Sequence, residues 1–570
     1  MRLFPLTLVA LAASTSAFAQ TPPPAAPVAP VAMSKPISAE DLAKRNALLN
    51  AALPPAQVAF KSHVMFLASD AMAGRDAGSH EYDIAAQYVA AQFYAAGLRP
   101  AGDNGSFLQN VPLITVKPAD KGSFAWTPAK GAPVTLEFGK DYVPSTNPAK
   151  AATSVDAPIA FVGYGIVDPT SGRDDYAGVD VKGKIVLLFG GAPSSFHPEL
   201  RAHFGNAATK GAIAEAKGAA GVIMIDAVGA TGRAARSGFE RSVTSFGRPR
   251  VSWAHPNGTG FNPTPNAPSL GMISHAFAEK LFGARWKAVA KGAVSNETRF
   301  KPFDLAGTLK ATINTVTAPL PSSNVAGILP GSDPVLKNEV VVLSAHLDHV
   351  GVGEAVDGDT IYNGAMDNAV GIAALIEEAK KFKTAGTPPK RSILFLAVTA
   401  EEKGLVGADY FAHYPTIAKE RMVANVNLDM PIITYKFEDV TAFGAERSSL
   451  GAIVKKAADS MGLGFGPDPM PEEGLFTRSD HYRFVQQGIP SVFLWPGLAG
   501  PGKAAVADFM QNRYHKPQDE PWHPSLDWEQ GVRFVDINYA IAREIADGAE
   551  RPKWNKGDFF GTQFNGYGAR

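Results

Sequence analysis

The sequence predicts an α/β sandwich with a mostly parallel central sheet, interrupted by a smaller β-rich insert, on three observations. First, VVVLSAH (340–346), SILFLAV (392–398), MVANVNLD (422–429) and SVFLW (491–495) are short, nearly continuous apolar runs rich in β-branched residues. Runs of that kind suit strands covered on both faces, as in parallel sheets. Second, helical spacing separates them: Ile372, Leu375, Ile376 and Ala379 recur on one face of the segment after Gly371. Alternating strands and helices favour a parallel sheet sandwiched by helices. Third, the texture changes between residues 135 and 315, where glycine becomes frequent and APIAFVGYGI, GKIVLLFGG and AGVIMIDAV read as strands beside a helix over 206–218. That stretch has no cluster of ligand-type residues and is read as a separate inserted module.

Taken in order, residues 1–19 combine Arg2, an apolar stretch from Leu3 to Ala13 and a small-residue AFA pattern ending at Ala19. They read as a signal peptide, so export to the periplasm or the medium is expected. Residues 20–37 form a Pro/Ala-rich linker. Order is expected from Ser38, where SAED resembles a capping box. A helix over 81–97 follows, with Ile84, Tyr88, Val89 and Phe93 on one face and Gly97 as its stop. The main domain is then discontinuous, 38–134 and 316–550, around the insert 135–315. Residues 551–570 make a C-terminal tail, whose GDFFGTQFNGYGAR reads as strand-like or flexible.

The composition narrows the chemistry. The 54 basic and 54 acidic residues cancel, which leaves no electrostatic argument for a nucleic acid partner. No apolar run reaches the roughly 20 residues a membrane-spanning helix needs, so no integral membrane segment is expected after the leader. The absence of cysteine excludes disulfides and thiolate chemistry. Oligomeric state is not legible.

Ligand-type residues fall at the ends of the buried runs. His346 and Asp348 follow VVVLSA, Asp367 precedes a helix in NGAMDNAVG, Glu401 and Glu402 follow SILFLAVTA, and Asp429 ends MVANVNLD. Singly each could be a strand terminus or a helix cap. Together, several carboxylates converging on one edge would repel one another unless a multivalent cation sat among them. Imidazole and carboxylate without thiolate suit zinc, with cobalt or manganese as substitutes. One more neutral ligand is expected, and YHKPQDE offers His515; His349 and His481 are its rivals, whereas His63, His80 and His413 read as ordinary histidines.

AHLDHVG, NGAMDNAVG, TAEEKGLVGADYF, VNLDM and YHKPQDE resemble the motifs of the M28 family of co-catalytic zinc metallopeptidases, the aminopeptidase Y and glutamate carboxypeptidase relatives. HVMFLASDAMAGRDAGS and the helix after it resemble the start of the same domain, and DDYAGVDVKGKIVLLFGG resembles a protease-associated (PA) domain. The resemblance implies a three-layer sandwich of the zinc-peptidase type, peptide substrates and two Zn2+ ions. It implies that His346 and Asp429 hold one zinc, Glu402 and His515 the other, and that Asp367 bridges them. Asp348 would orient the ring of His346 from the outer shell, and Glu401 would stay off the metals as general base. On extended backbone, Glu401 and Glu402 would point opposite ways. The family often has an acid where this chain has Met366 and a serine where it has Val370; neither is an expected ligand. Asp480, His481 and Tyr482 lie near the family's substrate contacts.

The reaction implied is peptide hydrolysis by an aminopeptidase. A carboxypeptidase or dipeptidase of the same fold is the nearer alternative, and a non-catalytic, receptor-like binding protein the more distant one.

Overall fold

The computed structural model describes residues 37–226, 238–295 and 299–570. The expected signal peptide and all of the linker but Ile37 lie outside the described residues.

Four parallel strands form the heart of the main sheet: Ser392–Val398, Val340–His346, Met422–Asn427 and Ser491–Pro496, hydrogen-bonded in that order. Antiparallel strands flank them, Leu108–Pro118 and the second half of Phe303–Leu329 on one side, Asp439–Phe443 on the other. The apolar runs are continuous because both faces are covered. Val341, Leu343 and Ala345 pack into the cluster that holds the helices Val370–Thr384 and Trp528–Asp547. Their neighbours Val340 and Val342 join Ala408, Phe411 and Phe484 on the opposite face. Fully burying one such side chain contributes about 1.5–3 kcal/mol. The result is three layers, as the alternation of strands and helices predicts.

A second sheet carries the insert. Ile185–Phe189, Gly221–Ile225 and Ser269–Ile273 run parallel, and Ala152–Phe161 joins them. The 27-residue strand Phe303–Leu329 ties the two sheets together, pairing with Ala152–Phe161 through its first half and with Leu108–Pro118 through its second. Ser123–Thr127 also pairs into the insert's sheet although it precedes residue 135.

Local differences from expectation have local causes. Ser38 caps the first helix as read, its hydroxyl accepting the Asp41 N–H at 3.0 Å. The next predicted helix spans His80–Ala95, but Ile84 is 39% exposed. Tyr82, Ala85 and Ala86 take the inward face instead, because alanines let the helix lie close to the sheet. The helix expected over 206–218 is present as Ala207–Ala216, capped by the Asn206 side chain, and a further helix, Pro198–Gly205, precedes it. The tail is neither strand-like nor loose: Phe559–Gln563 is a short helix, and Trp554, Phe559 and Phe560 are buried in the main core. Aromatic area supplies the packing that the glycines around it could not.

Candidate metal centre

Because the central strands are parallel and in register, their carboxyl ends share one edge. His346 stands opposite Val398, and Asn427 opposite Phe493. His346 therefore ends its strand at that edge, Asp429 lies two residues past the end of another, and Glu401 lies three past a third. Ligand sites of open α/β sheets sit there. Asp367 arrives from the segment before Val370–Thr384, and His515 from the loop after the helix Gly502–Asn512.

The groups divide into two sets that share one carboxylate. His346 Nε2 lies 3.2 Å from Asp367 Oδ1 and 3.0 Å from Asp429 Oδ1. His515 Nε2 lies 3.2 Å from Asp367 Oδ2 and 3.1 Å from Glu402 Oε2. His349 Nδ1 approaches the other oxygen of Glu402 at 2.8 Å and Asp367 Oδ2 at 3.8 Å. The ligand-type atoms of His346, Asp367 and Asp429 all lie within 4.8 Å of one another, as do those of His349, Asp367 and Glu402. All five predicted ligands thus converge on one place. His349, weighed in the sequence as a rival to His515, sits beside it.

Burial and charge act against each other throughout. Burial alone would lower the His346 ring, but the carboxylates of Asp429, Glu401 and Asp367 hold it well above the usual imidazole range. Burial would raise Asp367, yet the histidines around it keep it well below the ordinary carboxylate value. Glu402 is likewise brought down to about 2 by His349 and His515, against its burial and the charge of Asp367. His515 is pushed up to about 10 by the same two carboxylates, despite the desolvation that opposes it. Glu401 goes the other way: burial, reinforced by Asp429, Glu402 and Asp480 and opposed by His346, holds it well above the carboxylate range.

The residues fit a divalent cation. The donors are imidazole nitrogens and carboxylate oxygens, the set zinc takes in the absence of thiolate. Both ring nitrogens of His349 and Glu402 Oε1 are buried without a hydrogen-bond partner. Unpaired polar atoms of that kind are costly unless something else satisfies them.

Several roles differ from expectation. The His346 ring is held by the backbone carbonyl of Asp348, 3.1 Å from Nδ1, and the Asp348 carboxylate does not hold it. That carboxylate instead accepts the N–H groups of Glu401 and Glu402, at 3.0 and 3.3 Å. Glu401 and Glu402 are not on extended backbone: the Glu401 carbonyl accepts the N–H of Gly404 and of Leu405, closing a turn after Ala400, whose φ is +55°. The turn, with the Asp348 clamp, separates the two carboxylates. Asp480, His481 and Tyr482 are buried and do not line the small cavity over the cluster, whose walls include Met430, Leu475, Arg478, Ser479, Phe493, Met510 and Tyr514. Burial pushes Asp480 up to about 8 and His481 down to about 3, and the Tyr482 hydroxyl pairs with His203 of the insert.

Supporting residues went unread in the sequence. Ser479 Oγ donates to Asp429 Oδ2 at 2.5 Å. Asp519 accepts the N–H groups of Met366 and Asp367. Fully buried Arg75 donates to the carbonyls of Leu67, Leu347, Asn363 and Gly364, pinning the backbone beside His346 and Asp367. Tyr514 stacks on His515 with centroids 3.9 Å apart. Asp519 offered a signal, as an acid in the same motif as His515; Arg75 and Ser479 offered none beyond their types.

Such a fold and site define an α/β protein with a bipartite histidine–carboxylate cluster at the carboxyl edge of its sheet. Residues 324–542 match the model of peptidase family M28, and residues 148–259 match that of the PA domain. The chain is 29% identical over 238 residues to leupeptin-inactivating enzyme 1 of Streptomyces exfoliatus, covering 41% of this chain and 48% of that protein. It is 27% identical over 237 residues to aminopeptidase YwaD of Bacillus subtilis (strain 168), covering 41% and 46%. The chain thus spans about half the length of these curated relatives. A solved aminopeptidase from Aneurinibacillus sp. strain AM-1 aligns over 87% of this chain and 95% of that one, with a TM-score of 0.45 and 19% identity. Among the described residues, no helix is long and apolar enough to cross a membrane.

Proposed function

We propose that this protein is an exported zinc aminopeptidase that holds two Zn2+ ions and releases N-terminal residues from peptides. The observation that carries the reading is the split of Asp367, whose two carboxylate oxygens face different partner sets. His346 and Asp429 hold one ion, Glu402 and His515 the other. When bound, the pair of cations lowers the pKa of water and polarises the scissile carbonyl. Glu401 takes the proton from the attacking water and delivers it to the leaving amine. Its turn keeps it off the metals, and Asp348 fixes that turn. Export rests on the leader expected over residues 1–19.

Support also comes from the relatives, three of which carry aminopeptidase names. One feature favours the second reading, a dipeptidase or carboxypeptidase: Arg478, paired with Glu473 at 3.3 Å, brings a cation to the cavity wall that a substrate carboxylate could compete for. A panel of aminoacyl reporters and N-terminally blocked peptides, assayed with and without a chelator, tests both. Chelator-sensitive release from free N-termini alone is the expected result. Release from blocked peptides would move the protein to the second reading, and activity indifferent to the chelator would overturn the metal-dependent mechanism.

A further inference from the structure

We propose that His349 is a third protein ligand of the second cation, beside Glu402 and His515, so that this cation is held by two imidazoles where the first is held by one. The proposal rests on the two-metal reading above.

Three observations converge. The His349 ring is fully buried, and neither nitrogen has a hydrogen-bond partner. Its Nδ1 lies 2.8 Å from Glu402 Oε1, close enough for the ring to draw the Glu402 carboxylate down, yet neither atom is satisfied by a hydrogen bond of good geometry. Ligand-type atoms of His349, Glu402 and Asp367 all lie within 4.8 Å of one another, the spacing of ligands around one ion. Finally, His349 Nδ1 and His515 Nε2 approach opposite oxygens of Glu402 and the same oxygen of Asp367.

The backbone makes room for the ring. A Cβ on Gly364 would lie 2.5 and 2.6 Å from two ring carbons of His349, and the φ of Gly364 is +62°. A side chain there would displace the ring and strain the turn. The segment that delivers Asp367 is therefore shaped around the imidazole.

An orienting role, with His349 only donating a hydrogen bond to Glu402, makes a different prediction. Glutamine can still donate to Glu402 but is a poor zinc ligand, so the two roles separate.

The test is equilibrium binding of Zn2+ to the metal-free full chain against a chelating competitor. The parent should take up two equivalents. His349→Ala and His349→Gln should both weaken one equivalent by about tenfold or more and leave the other unchanged. Parental affinity in both variants, or its recovery in the glutamine variant, overturns the proposal. Should either variant misfold, the Co2+ form of the parent decides instead. It should give three exchangeable, paramagnetically shifted imidazole N–H resonances, for His346, His349 and His515; only two would overturn the proposal. A parent that binds no cation removes the two-metal reading, and this inference with it. A parent that binds two while the variants match it removes this inference alone.

Discussion

The two halves of the cluster are built differently. His346 and Asp429 stand at or just past the ends of central strands, almost entirely buried, and are held by the Asp348 carbonyl, Ser479 and Trp495. Glu402 sits on a turn, and His515 on a loop with 39% of its side chain exposed, a φ of +52° and Tyr514 stacked against it. The first half inherits rigidity from the sheet, whereas the second depends on irregular backbone. The contrast separates two properties often treated as one. Exposure governs how fast an ion exchanges, while the number and type of donors govern how tightly it is held, and the open half has the extra imidazole.

The strongest test of the contrast removes what the halves share. Asp367→Asn should lose both zinc equivalents and all chelator-sensitive turnover, read by metal content and reporter hydrolysis; one retained equivalent would mean that Asp367 serves a single half. Next in size, Glu401→Gln should lower turnover by about 10²–10⁴-fold while both equivalents bind as before. Near-normal activity would take Glu401 out of the base role. Asp429→Asn and His515→Gln should then each cost only their own equivalent, a pair of titrations that resolves the halves directly. The smallest effect belongs to Ser479→Ala. Losing its hydrogen bond to Asp429 should weaken the first equivalent by about 10–100-fold and leave the second alone. Equal weakening of both would show the halves to be one coupled unit.

Much of this was legible in the sequence because it rests on periodicity and on strand ends. The runs 340–346 and 392–398 read as strands and are strands, since nothing but burial on both faces explains them. Of the proposed ligands, His346 and Asp429 were legible because strand ends place them, whereas Asp367 and His515 stood out through the motifs that carry them. What failed depends on single backbone angles. The φ of Ala400 puts Glu401 and Glu402 on a turn, where simple alternation expected extended chain. Substrate contacts were assigned to residues 480–482, but the cavity faces Arg478 and Ser479; the helix His481–Val485 begins there and turns the later side chains inward. Arg75 is nearly 300 residues from the carbonyls of Asn363 and Gly364, a distance no local pattern spans.

The strand Phe303–Leu329 has a practical corollary for engineering. Its first half exchanges hydrogen bonds with Ala152–Phe161, inside the stretch matched as the PA domain. Cutting out residues 148–259 to obtain a minimal catalytic unit would leave that half with an unprotected edge, a template for intermolecular pairing. Trimmed versions should be designed with a replacement partner strand, or they will precipitate before their chemistry can be assayed.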